Sequence, residues 1–308
     1  NMSPMKKNKL IFLFLSMLGV IYFANGQDLL KILDQERRDT LQYTRATFKA
    51  NQIIYGQSVE TRKKGTMEFL LGTRYWNIPN IENRRSFVAD RFSGRLGLQY
   101  AFTDRFTAGF GVTSFDGVVN AFGKYRLVKQ RDDNNKSPIG ITLFQGISML
   151  TRDFSGVLIP QEYSDRFSFV SQVIFARKFN RNLSLQVAPM YIRTNAPQLA
   201  FTDNDFFVLG LGGRYKLSNH VSLVTEYHYV AGREEGVQGF NPFAIGINWE
   251  VSDVILQFSL TNTKSFDETA IILYTPNNFN FNDGGLHFGV NATYVLHLNK
   301  KKKGKLKK

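Results

Sequence analysis

From Leu286 to Leu298 the chain reads Leu-His-Phe-Gly-Val-Asn-Ala-Thr-Tyr-Val-Leu-His-Leu, with every even position apolar and most odd ones polar or glycine. Phe243, Ile245, Ile247, Trp249 and Val251 repeat the rule against Ala244, Gly246, Asn248 and Glu250. A period of two sends successive side chains to opposite faces of a sheet. Sustained along most of the chain, it predicts an all-β fold: a transmembrane, antiparallel, up-and-down barrel in an outer membrane. Twelve segments carry it, at about 65–76, 92–102, 105–114, 118–128, 138–150, 165–179, 182–193, 205–217, 220–230, 241–251, 253–263 and 285–298. Most reach the ~9–11 residues that a tilted membrane strand needs, and their number is even, as in bacterial single-chain barrels.

The connections give a second, independent signal. Thr103-Asp104, Arg181-Asn182, Ser218-Asn219 and Ser252-Asp253 are tight polar turns, and Gln130–Ser137 falls at the same end. The joins between them, 77–91, 151–164, 194–204, 231–240 and 264–284, are long, with Phe115-Asp116-Gly117 the short exception. Short periplasmic turns and longer extracellular loops are the expected asymmetry, which puts both ends of the barrel in the periplasm. Tyr100, Phe102, Phe106, Tyr125, Phe179, Tyr215, Trp249 and Tyr294 then gather near the short turns. Tyr75, Phe92, Phe167, Tyr191, Phe207, Tyr229 and Phe243 gather near the long loops. Two such girdles match the two bilayer interfaces. The rival is a soluble barrel with its apolar face inward, but twelve strands would then enclose an apolar cavity that nothing fills.

Composition sharpens the picture. The 308 residues include no cysteine, which excludes disulfides and thiolate metal sites. Mean hydropathy is −0.23, too polar for a bundle of membrane helices. The run Leu10–Phe23, preceded by Lys6, Lys7 and Lys9 and followed by Ala24-Asn25-Gly26, fits a signal peptide over residues 1–26. At 14 residues it is short for a membrane span. Residues 27–64 are expected to stay in the periplasm, plug the lumen or add an edge, 65–298 to form the barrel, and 299–308 to be a basic tail. The net charge of +14 is no sign of nucleic acid: three lysines before Leu10 and seven after Asn299 supply ten of it. Such termini are usually solvated.

Several stretches bring a family into view. They are Thr47-Phe48-Lys49 with Gly56-Gln57-Ser58-Val59-Glu60, then Arg95-Leu96-Gly97-Leu98-Gln99-Tyr100 through Thr103-Asp104-Arg105. Lys124-Tyr125-Arg126-Leu127, Ala176-Arg177-Lys178-Phe179 and Leu209 to Leu217 join them. Together they resemble an uncharacterised Bacteroidota β-barrel family, a domain of unknown function, over most of residues 45–298. The resemblance implies a Gram-negative outer-membrane barrel and transfers no activity or site. The last strand, with Gly289 and apolar positions to Tyr294 and Leu296, also partly resembles the signal read by barrel-assembly machinery. A terminal aromatic is missing, and Asn299 and the lysine tail follow instead.

The polar strand faces put Arg74, Arg95, Lys124, Arg126, Lys178, Arg193, Arg214 and Lys216 in the lumen, against Glu68, Glu226 and Glu250. Two readings follow: a pore whose field favours anions, or charges that pair across the lumen and hold it closed. Arg95, Lys124 and Arg214 lie deepest. His228 and His287 should also face inward, on strands that are not neighbours. No His-x-His or Glu-x-x-His set accompanies them, so neither a metal nor another cofactor is expected. No serine sits beside either as a nucleophile would, and no phosphate-binding glycine loop appears. The expectation is a non-enzymatic barrel that passes small polar solutes, anions among them. The alternative is a non-conducting barrel that docks other envelope proteins. Its partners would be outer-membrane lipid and the barrel-assembly machinery, and no nucleic acid.

Overall fold

The computed structural model describes residues 43–44, 46–77, 89–131, 137–151, 162–195, 204–232, 239–279 and 285–298. The expected signal peptide and the lysine tail lie outside them. Twelve strands form: β1 (Thr66–Trp76), β2 (Arg91–Ala101), β3 (Phe106–Thr113), β4 (Val118–Val128), β5 (Gly140–Leu150) and β6 (Phe167–Lys178). They continue as β7 (Leu183–Thr194), β8 (Asp205–Lys216), β9 (Val221–Val230), β10 (Phe243–Val251), β11 (Val254–Thr261) and β12 (His287–His297). Each pairs antiparallel with its sequence neighbour, and β1 pairs with β12 from Thr66↔His297 to Tyr75↔Phe288. The sheet is thus a closed barrel, which leaves no unpaired edge. Observed strand ends lie within a few residues of those read from the alternation.

The short turns close by one recurring device. Thr103, Asn180 and Ser218 each turn a side-chain oxygen back to accept two backbone N–H groups, those two and three residues ahead. Such side chains offer the backbone a local partner and so fix a tight turn. Ser252, in the remaining short turn, sits at a positive φ of 56°.

The alternation resolves as expected into two faces. Phe69, Leu71, Leu96, Phe110, Leu185, Leu211, Ile247, Trp249 and Phe258 are exposed on the outside, flanked by the outward aromatics of both girdles. In a membrane this belt meets hydrocarbon. Tyr43 and Arg131 belong to a separate small unit, where they form an isolated bridge with the guanidinium 6.0 Å from the ring.

The inner face is less uniform than a polar lumen. Across β6 to β9 it carries Val170, Ile174, Ala188, Met190, Ile192, Phe206, Val208, Val224 and Val230, all buried. Across β1, β2, β4, β11 and β12 it carries mainly Arg, Lys, Glu, Gln, Asn and Thr. The two sectors are buried because two segments of the chain fill the barrel.

Candidate functional site

The first segment is a hairpin, residues 46–64, that lies inside the barrel. Thr61 Oγ1 donates to the Asp104 carbonyl and the Lys64 N–H to Asp104 Oδ1, which fixes its end at the short-turn rim. Ser58 N–H donates to Asn51 O, Gln52 bridges Gln57, and Ile53 N–H donates to Gly56 O at the tip. Phe48, Ile53, Ile54, Tyr55 and Val59 are buried.

The wall meets this hairpin largely through the hairpin's backbone. Glu226 on β9 accepts from the N–H groups of Ile54 (3.2 Å), Tyr55 (2.9 Å) and Gly56 (3.2 Å). Gln186 on β7 accepts from Val59 N–H and donates to Gln57 O. Lys124 on β4 donates to Asn51 O at 2.8 Å, and Thr142 on β5 to Val59 O at 2.7 Å. Gln257 and Asn291, on β11 and β12, donate to Ile53 O and Ile54 O. A loop buried away from water needs partners for its peptide groups, and polar side chains of β4, β5, β7, β9, β11 and β12 supply many of them. At Gly212 a side chain would collide with Ile53, so glycine there lets the hairpin lie against β8.

Ion pairs tie the same segment to the lumen charges. Arg62 pairs with Glu68, Glu60 with Arg126 at 3.0 Å, and Lys49 with Glu250 at 2.7 Å. Glu250 is shared with Arg214 at 3.5 Å.

The second segment enters from the long-loop end. Between β11 and β12 the chain forms a short helix, α1 (Glu268–Leu273), capped by Asp267, which accepts from Thr269 and Ala270 N–H. Asp116 accepts from Phe266 N–H at 2.9 Å, and Ser148 donates to Asp267. Glu268 accepts from Gln172 on β6 and from Gln57 of the hairpin, at 3.1 and 2.8 Å. Ile271, Ile272 and Leu273 are buried, with α1 packed against β6 and β9. Burial pushes the Glu268 carboxyl up to about 7 and raises that of Asp267. The six residues are too short for a helical period to show, and the sequence reading leaves 264–284 as a loop.

Hairpin and helix meet on the wall. The Arg74 guanidinium lies 4.2 Å from the Phe266 ring and 5.6 Å from the Tyr55 ring, a cation shared between the two segments. Arg95 donates to Phe266 O at 3.0 Å, and the His228 ring lies 5.5 Å from that of Tyr55. Two cavities of about 20 Å³ remain beside these segments, each with room for about one water.

All nine lumen candidates from the sequence therefore sit against the two filling segments or beside them. Glu68, Arg74, Arg95, Lys124, Arg126, Arg214, Glu226 and His228 are buried, and Glu250 is half-buried. Arg193 departs from the expectation. It shares the outward parity of Tyr191 and pairs with Asp205 on the outer surface at 3.2 Å, 51% exposed. Lys216 lies at the rim, bonded to Asn219. Conversely Asp116, Asp267 and Glu268, which the strand count omits, add buried acids to the interior. Among the described residues no group of His, Asp and Glu has the arrangement of a metal site.

No curated protein sequence matches the chain. Among solved structures, the NanC porin superposes with a TM-score of 0.47 at 8% identity, covering 75% of this chain and 100% of that one. The COG4313 outer membrane channel from Pseudomonas putida F1 gives 0.46 at 15% identity, over 77% and 98%. Outer membrane phospholipase A from Escherichia coli gives 0.43 at 13%, over 76% and 91%. Residues 48–296, the filling hairpin from Phe48 onward included, match the profile described as "Membrane bound beta barrel domain (DUF5777)", and the chain belongs to that family.

Proposed function

We propose that this outer-membrane barrel is a gated conduit for small polar solutes, held shut by its own hairpin and by α1. The observation that carries the reading is the way the hairpin is held. Side chains of β4, β5, β7, β9, β11 and β12 bond its backbone, beside the apolar contacts of Ile53 and Val59. Such bonds exchange readily for bonds to water once the segment moves.

Withdrawal of both segments would leave Arg74, Arg95, Lys124, Arg126 and Arg214 facing Glu68, Glu226 and Glu250. That excess of cations supports an anion preference in the open state. In the closed state Glu68, Arg126, Arg214 and Glu250 form ion pairs, and Arg74, Arg95, Lys124 and Glu226 hold the filling segments. Assembly machinery of the outer membrane and the surrounding lipid are the partners this reading requires.

Single-channel recording in planar bilayers tests it. The intact chain should be closed with rare openings, and a variant lacking residues 46–62 should conduct steadily and show an anion-selective reversal potential in a KCl gradient. A barrel that only docks envelope proteins would stay silent in both forms.

A further inference from the structure

Outside the lumen, the wall carries a groove of about 640 Å³ on the lipid-facing side of β3 to β8. Phe106 and Tyr125 stand at its periplasmic side and Tyr191 and Phe207 at its extracellular side. It therefore runs within the hydrocarbon belt, between the two girdles. Its floor is unusual for that depth. Gln145, near the middle of β5, faces lipid; its amide oxygen accepts from Ser171 Oγ at 2.6 Å and its nitrogen donates to Gly146 O. A polar pair at mid-bilayer depth is costly unless it has a use.

The wall behind the groove has an interrupted ladder. The β6–β7 ladder runs Gln172↔Met190 and resumes at Phe175↔Val187, with no bridge for the two pairs between. Pro189 stands in that gap, and proline has no N–H to give a ladder. On the inner side of the gap lie Ile174 and Ala188, followed toward the extracellular rim by Met190, Val170 and Ile192, all buried, with the buried Gln172 between Ile174 and Val170 turned to Glu268. The wall at this seam is thus mainly apolar on both faces, whereas across β1, β2, β4, β11 and β12 the inner face is mainly polar.

We propose that the β6–β7 seam at Pro189 is a lateral site for the hydrocarbon chain of a single-chain amphiphile, drawn from or delivered to the bilayer. The groove seats the chain, the Gln145–Ser171 pair meets a polar group on it, and the apolar inner strip gives it a path along the lumen when α1 lifts. The groove stands on its own geometry; the inward path rests on the gated-conduit reading and makes its cargo amphiphilic.

A diazirine-bearing palmitic acid, photolysed with the full chain in phospholipid vesicles and mapped residue by residue, tests the site. Adducts at Val173, Met190 and Tyr191 should exceed those at Ile247 and Phe258, belt residues away from the groove, several-fold. Gly123→Leu, which fills the groove from its lipid side, and Pro189→Val, which restores a ladder donor, should each bring the seam down to the belt level. The belt adducts should not change. Uniform labelling around the barrel, or seam labelling that neither variant lowers, overturns the proposal. Uniform labelling beside steady conductance of the hairpin deletion would sink the seam and spare the gate, and enriched labelling beside a silent deletion would do the reverse.

Discussion

Glu226→Gln separates the closed state from the fold that contains it. The carboxylate accepts three consecutive N–H groups, from Ile54, Tyr55 and Gly56. The amide keeps its shape, yet one of its two heads becomes an NH2 that points at donors. One or two of the three bonds are then lost. Each hydrogen bond to a charged acceptor is worth ~1.5–3 kcal/mol, so the closed state should lose roughly 1.5–6 kcal/mol. At about 1.4 kcal/mol per tenfold, the closed-to-open ratio should fall by at least roughly tenfold, and by about 10⁴-fold at the upper end. The barrel itself keeps every ladder bond, because a side chain and not a strand amide is altered. Open probability in planar bilayers reads the effect, with far-UV circular dichroism and the mobility of unboiled protein on detergent gels to certify the barrel. An intact variant whose open probability stays within about twofold of the parent, ~0.4 kcal/mol, would refute the idea that this cradle holds the hairpin.

Three further outcomes follow from the same contacts. Gly56→Ala places a Cβ 2.8 Å from Glu226 Oε1; overpacking of ~1–3 kcal/mol should again favour opening, and faster proteolysis of residues 46–64 would register it. Docking of α1 should weaken as pH rises. Glu268, with an ordinary value of 4.5, is pushed to about 7 by burial, so its contribution is complete below the ordinary value and lost as pH climbs through about 7. Hydrogen exchange at Ala270–Leu273, corrected for intrinsic rate, should quicken over that window, and Glu268→Gln should abolish the change. Finally, Gln57→Ala and Glu268→Ala should be non-additive by ~0.5–1.5 kcal/mol in a double-mutant cycle on hairpin proteolysis, because one hydrogen bond joins them.

The strands were legible because a membrane enforces the alternation. Every outward position along Phe69, Leu71 or Ile247, Trp249 must suit hydrocarbon, so the period of two is unbroken there. The turns were legible through Thr103 and Ser218, whose side chains close them locally. Arg193 misled because parity near a strand end is easily slipped by one, and one residue flips the face. The helix α1 stayed hidden for a different reason. Its stability comes from burial of Ile271, Ile272 and Leu273 against β6 and β9, a tertiary contact that six residues cannot announce. The buried acids Asp267 and Glu268 of that loop were hidden with it.

The sequence nevertheless held a sign that the lumen could not be an open, water-filled hole. Positions of inward parity on β6 to β9 include Val170, Ile174, Met190, Ile192, Val208 and Val224. A lipid-facing belt on the outside forbids these from being the membrane side, since Phe169, Phe175, Tyr191, Leu209 and Tyr229 already occupy it. Large apolar side chains on both faces of four adjacent strands leave two physical outcomes: exposure to lumen water at ~25 cal/mol per Å² of apolar surface, or an occupant. Inside a twelve-stranded barrel side chains from the wall alone do not reach the axis, so an occupant must come from elsewhere. Here it comes from the chain itself, Ile53 and Val59 below and Ile271 to Leu273 above. By the same logic, movement of these segments uncovers the apolar strip of β6 to β9 to water, and that cost favours the closed state at rest.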